Sequence, residues 1–178
     1  MPAEDTIRVV RVGCRGWQRM PWSPDYYPGD LPEEWRLAYY ANEADCVLLP
    51  TDAWADTDTA TLAGWAAEVD ARFRFYLEVG DDAPGPGVRE ALGRRMGGWL
   101  GGEGGMREVA APHGRAWADE RRALVRLAGD RDLRAWRREF EDLRAWMTPY
   151  AEVAFIPGPD VSPRRVRELR TLVELLGL

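Results

Sequence analysis

Lysine is absent from this chain of 178 residues, so all 24 of its basic residues are arginine. That absence excludes Schiff-base chemistry and any other step carried by a lysine amine. Histidine occurs once, as His113, which excludes a zinc site built from several imidazoles. No EF-hand spacing is present either; a magnesium or calcium site built from carboxylates alone stays open, no metal ligand is assigned, and any cofactor is unknown. No apolar run approaches the roughly 18 residues of a membrane span. The first residues, Met1 to Thr6, are acidic rather than basic-then-apolar, so the expectation is a cytoplasmic protein without a signal segment. The only cysteines are Cys14 and Cys46. If they lie at opposite ends of neighbouring parallel strands, they are on the order of 10 Å apart and cannot form a disulfide. They are expected to be buried thiols.

What is present describes an ordinary globular chain. Hydrophobic residues make up 46% and charged residues 30%, a balance that supports a packed core. The length suits one domain, taken as residues 1–178 with a flexible Gly/Pro-rich region at about 80–106. The formal net charge of −6 opposes non-specific nucleic-acid binding, which requires a basic surface.

Hydrophobic patterning predicts alternating strands and helices. Ile7–Val12 reads as a buried strand ending at Gly13, followed by an aromatic and Pro-rich loop. Asp30 and Glu33 have the spacing of a capping box, and Leu31, Trp35, Ala38 and Tyr39 fall on one helical face. Cys46–Leu49 is a second strand, Asp58 or Thr59 caps a helix, and Phe73–Val79 is a third strand. This βαβαβ order argues for a parallel sheet covered by helices. Beyond Gly80 the pattern predicts a helix over Val88–Leu100, a glycine stretch at Gly101–Gly105 and a strand over Arg107–Ala111. Residues 116–147 read as two helices broken near Gly129. A last strand at Val153–Ile156 leads to a helix capped by Ser162 with Pro163 at its first position. The glycine stretch lacks the lysine of a phosphate-binding loop, and no strand leads directly into it.

One resemblance emerges from the first third. Gly13-Cys14-Arg15-Gly16-Trp17, Trp22, Tyr26-Tyr27-Pro28, Trp35 and Tyr39-Tyr40-Ala41 together resemble the opening of the DUF72 (YecE-like) family. Trp54, Trp65-Ala66 and Phe73-Arg74-Phe75 continue the likeness, and Pro112-His113-Gly114 resembles a late strand end of that family. The resemblance implies an α/β barrel of the TIM type. With about five mainly parallel strands visible, the expectation is an incomplete or shortened (β/α) barrel that lacks strands around residues 80–106. An uncovered parallel edge would favour pairing with a second copy, so a homo-oligomer is expected.

In such folds ligands sit beyond the C-terminal strand ends. That rim should hold Arg15, Trp17, Thr51, Asp52, Trp54, Glu78, Asp81, Asp82, His113 and Asp160. Asp52 or Glu78 is the candidate base and His113 the candidate acid. Arg15, Trp17, Trp54 and His113 are the candidate ligand-binding residues, with Arg15 suited to an anion. Against the family pattern, Leu48, Pro50, Glu78 and Pro157-Gly158 replace polar positions that the resemblance would supply. The favoured expectation is therefore a non-catalytic binding or interaction protein on a degenerate scaffold, taking a small polar ligand. The alternative is a hydrolase or isomerase acting on a small polar or phosphorylated substrate.

Overall fold

The structure, a computed structural model, describes residues 8–178. Eight strands form one sheet: β1 (Val9–Arg15), β2 (Cys46–Leu49), β3 (Arg74–Glu78), β4 (Met96–Leu100), β5 (Arg107–Val109), β6 (Arg115–Ala118), β7 (Arg122–Arg126) and β8 (Glu152–Ile156). Their spatial order is β4-β3-β2-β1-β8-β7-β6-β5. The pairs from β4 through β1 to β7 are all parallel, and β6 runs against both of its neighbours. The ends of the sheet nearly meet. Gly101 donates to the carbonyl of Met106 and Met106 to that of Trp99, both at 2.8 Å, in a single parallel bridge. The result is a nearly closed mixed barrel.

The helices are α1 (Ser23–Tyr26), α2 (Arg36–Ala41), α3 (Thr51–Trp54), α4 (Thr59–Glu68), α5 (Pro86–Leu92), α6 (Leu133–Trp146) and α7 (Pro163–Leu175). Two buried layers follow from the alternation of side chains along each strand. Val47, Leu49, Phe75, Val153 and Phe155 face outward and meet helix residues such as Leu62, Phe140 and Leu169. Cys46, Leu48, Tyr76, Leu124, Ala154 and Ile156 belong to a second cluster, which fills the barrel interior. Interior filling by side chains makes this a packed core rather than a pore.

The expectation of about five strands is overturned. The chain saves residues on helices, not strands: a glycine turn joins β4 to β5, and β5, β6 and β7 follow one another without an intervening helix. Met96–Leu100, expected within a helix, is β4. Gly97 is required there because a Cβ would lie 2.6 Å from the Tyr76 ring. Residues 116–126 are likewise not helical but form two strands joined by a tight turn, in which Asp119 accepts from the backbone N–H groups of Arg121 and Arg122. Their apolar residues satisfy helical spacing and strand alternation almost equally, and tertiary pairing decides. The stretch expected to be flexible contains α5 and β4, and Gly101, Gly102 and Gly104 take positive φ in the closing turn. One bridge between Leu100 and Met106 joins the two ends of the sheet, so the edge left open is shorter than the one that motivated an expected second copy.

Other local expectations also change. β1 continues through Gly13 to Arg15, because strand pairing there outweighs the glycine. The register sets Gly13 opposite Cys46 and Cys14 opposite Val47, so the two cysteines are near neighbours rather than at opposite ends. They remain free because alternation sends Cys14 to the outer layer and Cys46 to the interior. The Asp30 capping box does not form: a 3-10 turn at Glu33–Trp35 precedes α2, and Trp35 is 63% exposed instead of buried. Asp58 does cap α4 by accepting from Thr61 N–H. Ser162 precedes Pro163 at the start of α7 without a side-chain capping bond.

Candidate site at the barrel mouth

Inner positions of β1, β3 and β7 bring three charged side chains together at the C-terminal end of the barrel. Arg15 ends β1, Glu78 ends β3 and Arg126 ends β7. Arg15 grips Glu78 with both arms of its fork, Nε to Oε1 at 2.9 Å and Nη2 to Oε2 at 2.7 Å. Arg126 Nη1 donates to the same Oε1 at 3.1 Å. Bidentate pairing of this kind fixes both orientation and charge. The hydrogen bonds that Arg15 donates to Glu78 raise the Arg15 pKa above its usual value; burial opposes the rise, and the charges of Glu78 and Asp52 add to it.

The position of Glu78 is fixed by its own backbone. Thr51 Oγ1 and Trp54 Nε1 both donate to the Glu78 carbonyl at 2.9 Å. α3 thus acts as a clamp on the end of β3, which makes Trp54 a structural residue that is 6% exposed, not an open ligand platform. Trp17 is also buried. Its ring meets Trp65 edge-on at 4.8 Å and Phe75 at 6.2 Å. Such edge-to-face packing holds the turn after β1 against the outer layer.

A cavity of about 610 Å³ opens beside this cluster, lined by Arg15, Trp17, Gln18, Arg19, Asp52 and Thr57 among others. Its lining offers guanidinium, amide, hydroxyl and one carboxylate, with no imidazole or thiol. Three of the expected polar residues are therefore together: Arg15 and Asp52 line the cavity, and Glu78 is bonded to Arg15. His113 is elsewhere. Its Nε2 lies 2.8 Å from Asp142 Oδ2 of α6, and it does not line the cavity. The candidate acid is thus separated from the candidate bases, because the loop before β6 turns onto α6. Asp81, Asp82 and Asp160 lie on exposed turns. Arg126, Gln18 and Arg19 were not foreseen. Arg126 is legible only once residues 122–126 are read as a strand, whose alternation puts Arg122, Leu124 and Arg126 on one face.

Below the mouth, beyond the apolar filling, lies a second polar layer. Tyr76 OH donates to Glu152 Oε1 at 2.8 Å, and Arg11 Nη1 lies 3.3 Å from the same oxygen. Burial, then the charge of Glu152, push the Tyr76 phenol well above its usual pKa, so it stays a donor.

The arrangement can hold and orient an anion. It is poorly equipped to move a proton: three N–H groups already engage the Glu78 oxygens, and Asp52 has no titratable partner in the cavity except arginine. Among the described residues, no group of three or more His, Cys, Asp or Glu is placed to hold a metal ion. No described helix is long and apolar enough to cross a membrane.

Comparison with known proteins agrees with this architecture. A DUF72 family protein from Enterococcus faecalis V583 superposes with a TM-score of 0.63 at 11% identity, over 96% of this chain and 98% of that one. A DUF72 family protein from Thermotoga maritima MSB8 gives 0.61 at 11% identity, over 94% and 100%. Coverage of both chains nearly end to end does not fit a barrel shortened by lost strands. At such low identity the likeness speaks for the fold alone. No curated protein matches the sequence. A model of the family described as "Protein of unknown function DUF72" matches residues 11–82, the segment from β1 to just past β3. That segment, less than half of the chain, carries both the Arg15 turn and Glu78, and through it the chain is similar to the DUF72 family.

Proposed function

We propose that this protein binds a small anionic ligand at the barrel mouth and does not catalyse a reaction on it. The observation that carries the reading is the excess of guanidinium: Arg15 and Arg126 share the single carboxylate of Glu78 beside a cavity that also presents Arg19. Half-buried guanidiniums attract anions more strongly than surface ones, because the screening by water is reduced. The scattering of the catalytic candidates supports binding over chemistry, since a general acid and base must both reach the ligand.

Calorimetric titration with acetate and sulfate at constant ionic strength tests the reading. Arg15→Gln should weaken binding by about tenfold or more, in line with the loss of a charge-assisted hydrogen bond. His113→Ala should leave it unchanged. Wild-type affinity in Arg15→Gln, or no uptake of either anion by the wild-type protein, would refute it.

A hydrolase or isomerase is the second reading, favoured by one observation: Asp52 lies in the same cavity as Arg15. It requires turnover of some small polar substrate that Asp52→Asn abolishes while binding persists.

A further inference from the structure

We infer that Glu78 is a built-in counter-anion that sets the charge of the ligand, leaving the mouth with one net positive charge and selecting small monocarboxylates over dianions such as phosphate monoesters. This rests on the anion-binding reading above. Arg15, Arg19 and Asp52 line the cavity, and Glu78 and Arg126 adjoin it through the Arg15–Glu78–Arg126 bonds, so three guanidiniums stand against two carboxylates. One positive charge is left over, which a monoanion neutralises and a dianion overshoots.

The geometry makes Glu78 the controlling group. Its carboxylate occupies the forked face of Arg15 and one arm of Arg126, the same donors that a ligand carboxylate would seek. It cannot readily swing aside. Thr51 and Trp54 pin its carbonyl, and its side chain is only 19% exposed. An incoming anion therefore binds alongside Glu78 and feels its charge at close range. Coulomb repulsion grows with the charge of the ligand, so the penalty weighs on a dianion about twice as heavily as on a monoanion.

The Glu78→Gln variant tests this, because the amide keeps the shape and an acceptor oxygen while losing the charge. Sulfate serves as the dianion and acetate as the monoanion, each titrated by calorimetry at constant ionic strength. Sulfate affinity should rise by about tenfold or more, and the logarithm of that gain should be about twice that for acetate. If Glu78→Gln leaves sulfate affinity unchanged or lower while Arg15→Gln still weakens binding, the inference fails and the anion-binding reading stands. If neither the wild type nor Glu78→Gln takes up either anion, both fail. Circular dichroism establishes that the variant is folded. Should it not fold, Arg126→Gln supplies the second arm: it leaves a neutral Arg15–Glu78 pair, and sulfate affinity should drop by about tenfold. Wild-type sulfate affinity in that variant overturns the inference.

Discussion

Deleting one oxygen from the barrel interior measures how much the lower polar layer contributes to stability. Tyr76 is fully buried, and its hydroxyl donates to Glu152 Oε1 at 2.8 Å. In Tyr76→Phe the ring and its packing remain, and only the donor is lost. A hydrogen bond to a charged acceptor is worth about 1.5–3 kcal/mol. Glu152 keeps Arg11 at 3.3 Å, and its side chain is 19% exposed, so water can compensate in part. The expected loss is therefore about 2 kcal/mol, near the lower half of that range. For a chain of this length that corresponds to a fall in Tm of about 4–8 °C. Urea unfolding followed by circular dichroism should show a lower midpoint with an unchanged slope. The double variant with Glu152→Gln should be less destabilised than the two single losses added together, by about 1 kcal/mol, since the partners are in contact. A loss below about 0.5 kcal/mol, or strict additivity, would refute the claim that this buried pair stabilises the barrel.

Three other perturbations probe different layers. Gly13→Ala should cost about 3 kcal/mol or more in urea unfolding, because the new Cβ would meet the Cys46 carbonyl oxygen at 2.0 Å and backbone cannot rotate away; a loss under about 1 kcal/mol would show that the two strands can separate freely there. Asp119 has a lowered pKa: burial opposes the shift, but the backbone N–H of Arg121, the Arg122 guanidinium and the Arg122 N–H outweigh it. A carboxylate held below its unfolded value of 3.8 contributes stability above that pH and loses it as the pH falls through the folded pKa. Asp119→Ala should accordingly cost about 1 kcal/mol near neutral pH, with the gap to wild type narrowing in acid unfolding below the ordinary carboxylate range; a pH-independent gap would count against it. Burial pushes the Cys14 thiol up to about 12 against the opposing hydrogen bond of Tyr40, and Cys46 is raised well above its usual value, also by burial first. Neither thiol should react with an aromatic disulfide reagent in the native protein, while both should react in denaturant; rapid native labelling would contradict their burial.

Half of this fold is readable along the chain, and the division has a physical basis. β1, β2, β3 and β8 are β-branched or apolar runs bounded by Gly, Pro or capping residues, and α4 and α7 carry clear starts in Asp58 and Ser162-Pro163. Local propensity and tertiary demand agree in those elements. β4 and the pair β6 and β7 were opaque. Met96-Gly97-Gly98-Trp99-Leu100 carries two glycines that mask its strand character, and it forms by pairing with β3, where the Tyr76 ring leaves room only for glycine at position 97. The Ala116–Leu127 segment reads equally well as an amphipathic helix.

The candidate site divides in the same way. Arg15 and Glu78 end recognisable strands, so their place at the mouth was legible from the residues that precede them. Their partnership with Arg126 was not, because it joins three strands separated by 63 and 48 positions along the chain. His113 looked equivalent in the sequence, yet the loop before β6 turns it onto Asp142. Sequence by itself determined the elements whose apolar spacing, caps and turns are local in the chain. Only the tertiary structure decided which charged side chains share a mouth, because barrel register and nearly complete closure set distances that no local pattern records.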